Sequence, residues 1–596
     1  MILQALTKHY ESLAEIGEIT ELGFSMAKVS YGLHIDMEGT LKGIITLKVS
    51  EQRGKKTVLL PRRVKVPEQL KRSSGVAPNF LCDTSSYFLG VDDKGKPKRA
   101  RECFESAKKL HLNILQDIES EEALAVKNFF ESWNPEMAEE CEVLQGYLDE
   151  LVKEGNLIFL IDGTKPAQEA GSLKEAWKQY KKDNGSGLLM QCLVTGEKLP
   201  VAKLHPSIKG VKDAQSSGAS IVSFNDDAYE SFGRHGKKNG QGLNAPVSEY
   251  AAFAYGTALN HLIEDRKHMQ IVGDSTVVYW AEKAEPVYKD VFLMSLEPKE
   301  ETENQLKSVF DKVANGYFLD FEGAELNLAV PFYVLGLAPN AARLSVRFFI
   351  RDSFGTLLCH LKEHYQRLEI IRPEYDSREY LSVWNLLQET VNKNSREKTP
   401  SPVMAGAVLR AILNGGVYPR SLLNAVMMRI RADQDDTDRR IKKITRGRAA
   451  IIKAYLMRNS ADQLMKEVLT VGLNESSKYL PYVLGRLFSV LEGVQQKASG
   501  GNLNSTIKDR YFNSACATPA VIFPVLLKLY NNHIRKVDNT GMRIYFEQSI
   551  GELTNLIEMG NNPLPKRLSL EEQGVFILGY YHQTQKRFEG KKKEEK

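Results

Sequence analysis

The chain has 596 residues, a formal net charge of +5, 42% hydrophobic residues and 26% charged residues, an ordinary globular composition with room for several cores. No apolar run approaches the roughly 18 residues of a membrane helix, and the N-terminal MILQALTKHYESLAEIGE carries Glu and His and lacks a small-residue cleavage site, so neither a span nor a signal peptide is expected. Cys82, Cys103, Cys141, Cys192, Cys359 and Cys516 are scattered without CxxC spacing, which points to reduced thiols in a cytoplasmic protein and away from zinc.

Ile2, Leu3, Leu6, Tyr10 and Leu13 share one side of an opening helix. Val29–Ile35, Leu41–Val49 and Thr57–Val66 read as an antiparallel meander turning at Met37–Gly39 and Gln52–Lys55. The third strand, TVLLPRRVKV, is basic, and its Pro61 suits an edge or a bulge. The Ser/Gly/Pro-rich loop Arg72–Phe80 follows, then helical sequence from Ala100 to Leu151 and a strand at Leu157–Ile161. A long helix is expected at Pro246–Arg266, with strands near Thr276–Trp280 and Arg343–Arg351. Ser395–Pro402 is the clearest linker, and beyond it the pattern is helical, with amphipathic stretches at Glu475–Ser499, Pro519–His533, Gly541–Met559 and Ser569–Phe588. These elements predict an α+β fold: an N-terminal α+β domain with a basic hairpin (1–220), a middle α+β domain with a Gly/Lys-rich loop (221–395), and an all-α C-terminal bundle (403–596).

The net charge is modest, so any nucleic-acid surface must come from clustering. Between Glu51 and Arg72, eight basic residues stand against Glu51 and Glu68. A second cluster runs from Lys94 to Lys109, and a third from Arg429 to Arg458, whose four aspartates are confined to Asp433–Asp438. Such clusters suit a phosphate-tracking surface. Lys55, Lys56, Arg62, Arg63, Lys65, Arg439, Arg440, Lys443, Arg446, Arg448 and Arg510 are therefore candidate backbone contacts, and Lys508, Arg535 and Lys536 are expected on exposed faces of the last helices. In the small-residue loop Arg72, Ser73, Ser74 and Asn79 are candidates to read base edges. GRHGKKNGQGLN offers Arg234, His235, Lys237, Lys238, Asn239, Gln241 and Asn244 as a clamp on a phosphate backbone. The competing reading is an ordinary connector capped by Ser and Pro for the first loop and a disordered surface excursion for the second.

Catalytic motifs are missing or broken. GVDDKGKP has P-loop spacing for seven residues, but Pro97 stands where a Ser or Thr should hold magnesium. GQGLNA lacks the preceding strand of a dinucleotide site. There is no GxSxG, HExxH or paired-histidine metal spacing, so neither an enzyme nor a cofactor is expected.

Long ordered segments carry a resemblance. LLMQCLVTGEKLPVAKLHPSIKGV (188–211), SFNDDAYESFGRHGKKNGQGLNAPVSEYAAFAYGTALNHL (223–262), YLPYVLGRLFSVLEGVQQKA (479–498), LNSTIKDRYFNSACATPAVIFPVLL (503–527) and LSLEEQGVFILGYYHQTQKRF (568–588) resemble the large-subunit family of the subtype I-C CRISPR Cascade complex, across nearly the whole chain. The resemblance implies a non-catalytic subunit at the CRISPR RNA 5′ handle. It would read the protospacer-adjacent motif on double-stranded DNA, stabilise the R-loop and displaced strand, and dock a helicase-nuclease. Its implied partners include the backbone and handle-binding subunits of Cascade and a small subunit made from an internal start. Met465 is the favoured start over Met457, giving a small-subunit-like segment from about residue 465. The alternative is a CRISPR-associated nuclease or guide-processing ribonuclease, for which His235 is the one tempting residue.

Overall fold

A computed structural model describes the protein except residues 54–55, 71–74, 93–95, 154, 185–187, 225–241, 317–318, 397, 437–440, 501–504, 558–562 and 595–596, and leaves the side chains at 53, 56 and 589–594 undescribed. Contacts divide the chain into two units: Met1–Pro206 with Val222–His261, and Ser207–Ile221 with Leu262–Lys596.

In the first unit, α1 (Ile2–Glu15) precedes β1 (Phe24–Ile35), the strand on which the others are arranged. β2 (Leu41–Thr46) pairs antiparallel with Tyr31–Ile35 of β1. β3 (Val49–Arg53) and β4 (Lys56–Leu60) pair only with each other, and β5 (Arg62–Pro67) returns to pair antiparallel with Phe24–Val29. β2 and β5 thus lie end to end along one edge of β1. No ladder position remains there for the residues between them, and β3–β4 leaves the sheet as a separate ribbon. The expected meander is replaced by this split edge, and Pro61 marks the junction of β4 and β5.

Beyond β6 (Cys82–Asp83), four helices fill the space before the next long strand: α2 (Ser85–Phe88), α3 (Pro97–Leu115), α4 (Glu121–Ser132) and α5 (Leu148–Lys153). β7 (Asn156–Ile161) then runs parallel to β1 on its other edge, flanked by β6 and by β8 (Lys165–Pro166). Phe88, Phe104, Phe129, Phe130 and Phe159 pack in the core between helices and sheet. α6 (Gly171–Asp183), the small hairpin β9 (Leu189–Gln191) and β10 (Lys198–Pro200), and α7 (Glu249–Glu264), counted here as far as His261, complete the unit.

The second unit opens on a four-stranded antiparallel sheet, β11 (Gln270–Val272), β12 (Ser275–Ala281), β15 (Pro331–Asn340) and β16 (Arg343–Ser353). Between β12 and β15 lie α8 (Pro286–Leu296), α9 (Glu303–Ala314) and the hairpin β13 (Leu319–Phe321) and β14 (Ala324–Leu326). Helices follow: α10 (Phe354–Leu368), α11 (Val383–Gln388), α12 (Pro402–Leu413), α13 (Arg420–Ala432), α14 (Arg446–Asn459), α15 (Gln463–Lys466), α16 (Leu480–Ala498), α17 (Ile507–Ala517), α18 (Pro519–Ile534), α19 (Thr540–Asn555) and α20 (Leu570–Glu594). The fold is therefore mixed α+β with a helical C-terminal region. One hydrophobic core runs from Val272 in the sheet to Tyr581 in α20, so the middle sheet and the C-terminal helices share a single interior. α16 and α20 approach at backbone distance: a Cβ on Gly485 would overlap the Phe576 carbonyl, and one on Gly579 the Tyr482 carbonyl. Among the described residues no helix is long and apolar enough to cross a membrane.

Two buried histidines tie this core to pH. The Tyr418 hydroxyl accepts from Arg367 Nε at 3.3 Å and lies 2.7 Å from His364 Nδ1. The Tyr482 hydroxyl accepts from the Asn474 N–H and lies 2.8 Å from His582 Nδ1. Each tyrosine therefore turns its own hydrogen toward the imidazole, which must accept it and stay neutral. Burial pushes His364 down to about 3 and His582 to about 4, and neither Nε2 has a partner. Below the ordinary imidazole value of 6.5 the unfolded chain binds protons that the folded chain refuses. Stability should then be complete above pH 6.5 and decline toward pH 4, by about 1.4 kcal/mol per pH unit per histidine. Denaturant unfolding at pH 7 and pH 5 measures this. Replacing both histidines by glutamine should make the decline shallower, with the buried His111 and half-buried His205, each pushed down to about 4, keeping their share.

Candidate nucleic-acid interface

The β3–β4 ribbon is the most exposed regular element of the first unit. Every described side chain on it except Leu60 is exposed, including Val49, Val58 and Leu59. A two-stranded hairpin is marginal in water without a partner surface. Five residues per strand at about 3.4 Å each give an arm of roughly 17 Å, longer than the major groove is deep (about 8.5 Å), and a two-stranded ribbon fits that groove. Arg53 and Lys56 face each other in the register at its tip, and Lys55 lies outside the described residues.

At the ribbon's base the register adds charge. Arg63 pairs with Lys28 across β5 and β1, and both are exposed, as is Arg62 at the start of β5. Lys65 is half-buried, 3.3 Å from Glu21 Oε1 and 5.5 Å from the centre of the Phe24 ring, so part of its charge is already answered. Lys28 escapes a reading of basic runs because its neighbours are neutral. The alternation of FSMAKVSY places it beside Arg63 only when the pairing is known.

The loop after β5 is clasped at its stem. Asn79 is buried; its Oδ1 accepts from the Leu70 N–H at 2.8 Å, its Nδ2 donates to Gln69 Oε1 at 3.0 Å, and its N–H donates to Asp83 Oδ2 at 2.7 Å. The expected base reader is therefore the pin that closes the loop, because an amide with all its groups engaged inside has none for a base. Leu81 holds a left-handed backbone (φ 55°), and its N–H donates to His111 Nε2 at 2.9 Å. Burial pushes His111 down to about 4, so it accepts that bond as the neutral ring. Further out, the Ala77 N–H donates to the Tyr87 hydroxyl and Arg99 donates to the Gly75 carbonyl. Arg72, Ser73 and Ser74 lie outside the described residues, as do Arg234, His235, Lys237, Lys238, Asn239 and Gln241. Asn244 is half-buried and has a partner of its own.

The third basic cluster turns inward. Arg448 is 0% exposed. Its guanidinium meets Asp433 Oδ2 at 2.6 Å and donates to the carbonyls of Lys443 (2.9 Å), Lys442 (3.2 Å) and Glu389 (3.3 Å). Arg446 is buried against Asp376 at 3.2 Å and the carbonyls of Arg378 and Glu379. Lys443 is buried and donates to the Asp433 carbonyl. These three are corrected from phosphate contacts to internal ties, since acidic partners within reach draw the cations inside: Asp433 for Arg448 and Lys443, and Asp376 for Arg446. Lys508, expected on an exposed face, is buried against Asp435 at 2.5 Å. Arg510 is exposed, as are Arg535 and Lys536, while Arg439 and Arg440 lie outside the described residues.

Of the sequence-derived set, the structure brings Arg62, Arg63 and Lys65 together, beside Lys28. No group of three or more His, Cys, Asp and Glu among the described residues is placed to hold a metal ion.

Replacing Arg448 by Met should destabilise the second unit by about 3 kcal/mol, because the buried Asp433 would lose its nearer counter-charge and keep only Arg429 at 3.3 Å. Chemical denaturation measures this, and the double variant Arg448→Met with Asp433→Leu should recover much of the loss.

A family model described as CRISPR-associated protein (Cas_Csd1) matches residues 6–588. No curated protein matches the chain.

Proposed function

The chain belongs to the CRISPR-associated Cas_Csd1 family, and we propose that it is the non-catalytic large subunit of a type I-C CRISPR RNA-guided surveillance complex. In this reading the first unit recognises the protospacer-adjacent motif in double-stranded DNA. The protein also stabilises the R-loop and displaced strand, contacts the CRISPR RNA 5′ handle and its Cascade neighbours, and docks the helicase-nuclease. The observation that carries the reading is the solvent-projecting β3–β4 ribbon with Lys28, Arg62 and Arg63 at its root, next to a loop pinned by Asn79.

The physical division of labour supports it. Pairing with the guide supplies sequence discrimination, so the protein needs to read only a short motif and hold the backbone. Exposed cations at the base of a groove-sized arm would hold phosphates in any sequence, while a loop pinned at its stem would present a few groups to base edges at little cost in ordering. Magnesium-dependent and magnesium-independent cleavage assays on guide precursor and on DNA test the non-catalytic part, with intact nucleic acid as the expected result.

The small subunit enters this reading through Met465 or Met457. α20 packs on α14, where Gly574 lies against Ile452 and Leu456. A product starting at either methionine lacks most or all of α14, so its α20 would offer that face to a neighbouring subunit. A C-terminally tagged gene should give a second, shorter band, which disappears on Met465→Leu, a volume-conserving change at this buried site.

For the ribbon, the variant Arg62→Ala with Arg63→Ala should weaken binding of the assembled complex to all targets alike. The slope of log affinity against log salt should fall by roughly 0.9 for every phosphate that the arginines no longer neutralise. Electrophoretic mobility shifts over a salt series measure both, and an unchanged affinity and slope would remove this surface from the interface.

A further inference from the structure

The second unit holds a cleft of about 1290 Å3 walled by the loop before α11, the segment leading into α14, and α11, α16 and α20. Two large aromatic side chains line it: Tyr375, 72% exposed, and Phe588, 56% exposed with a partner of its own. Lys442 holds the first, with Nζ 2.9 Å from the hydroxyl and 4.2 Å from the ring centre. The floor is internally satisfied. Tyr580 donates to Glu492 at 2.6 Å, and Lys508 meets Asp435. The walls are not. Gln388 and Gln585 line the cleft half-buried, with side-chain amides that bond to nothing among the described residues. The buried Arg446, with both terminal nitrogens engaged, leaves its Nε without an acceptor, an exception of the kind that marks strain or an absent ligand.

Charge at the mouth follows the same logic. The wall acid Asp376 is paired with Arg446 and Arg378. Among the described residues the exposed Arg372 and Lys442 hold only neutral oxygens, the Ser377 carbonyl and the Tyr375 hydroxyl, while Glu374 and Asp436 share the rim with partners of their own. An aromatic ring as exposed as Tyr375 stacks on a base, primary amides read a base edge with a donor and an acceptor together, and rim cations with neutral partners can turn to a phosphate.

We propose that this cleft binds a nucleotide, with its base stacked on Tyr375, its edge on the amides of Gln388 and Gln585, and its phosphate at Arg372 and Lys442. The ligand chemistry is shared by a free nucleoside monophosphate and by one splayed-out residue of a single strand. The site lies wholly in the second unit, so it stands or falls separately from the N-terminal ribbon.

The test uses the full-length chain. Binding of deoxynucleoside 5′-monophosphates is measured by calorimetry, and binding of a short fluorescent single strand by anisotropy. Saturable binding of both assigns the cleft to a free nucleotide, and binding of the strand alone assigns it to a splayed base. In either case Tyr375→Ala should lower the affinity about tenfold, and Gln388→Ala should lower it as well, with thermal unfolding unchanged. The Arg62→Ala, Arg63→Ala variant should keep monophosphate binding, and keep whatever share of strand binding Tyr375→Ala removes. The proposal is overturned if neither ligand binds, if both cleft variants bind like the wild-type chain, or if the ribbon variant abolishes the binding attributed to the cleft.

Discussion

The guanidinium of Arg448 is the interaction on which the second unit depends. It is withdrawn wholly from water, and a buried cation is tolerated only when oxygens replace its hydration. Here they come from three separate stretches: the Asp433 carboxylate after α13, the Lys442 and Lys443 carbonyls before α14, and the Glu389 carbonyl after α11. One side chain thereby fixes how α11, α13 and α14 meet. α14 in turn is buried along nearly its whole length and supports α10 on one side and α20 on another. The walls of the nucleotide-sized cleft are the outer surface of this tie.

The first unit is organised by a different constraint, the finite edge of β1. Twelve residues of strand offer a fixed number of ladder positions, and β2 and β5 fill one side of it. What remains of the chain between them must leave the sheet. A projecting arm with cations at its root is thus a consequence of strand length and pairing order, before any requirement of binding. The stem of the following loop is fixed with equal economy, by one asparagine and by one strained leucine whose N–H finds a buried neutral histidine.

Much of this was legible in the sequence. The opening helix, the strands near Val29–Ile35 and Leu157–Ile161, the long helix after Pro246 and the amphipathic helices of the C-terminal region follow from periodicity, because each buries one face. Pairing order was not legible, since alternation says which face of a strand is apolar and nothing about its neighbour. α17 escaped because IKDRYFNSACA is polar at first sight; its start is written instead in the reciprocal cap between Thr506 and Asp509. Charge clusters were the least reliable guide. In the cluster at 51–72 Arg62 and Arg63 face solvent, while Lys443, Arg446 and Arg448 in the cluster at 429–458 face inward, and the difference lies in aspartates close enough to compensate a buried cation. Asn79 shows the same ambiguity at one residue, since the polarity that suits a base edge suits a loop pin equally well.

The glycine seam between α16 and α20 has a temporal consequence. At Gly485 and Gly579 the two helix backbones touch, so neither position accepts even a methyl group without driving the helices apart. α20 follows in the chain every element it packs against. During synthesis, α14, α16 and α17 must therefore wait with apolar surface uncovered until α20 emerges from the ribosome and closes the seam. A chain that stalls in the stretch before Leu570 would leave that surface open to proteases, whereas one that completes α20 buries it in a single docking step. Quality control of this protein is thereby built into the order in which its helices are made.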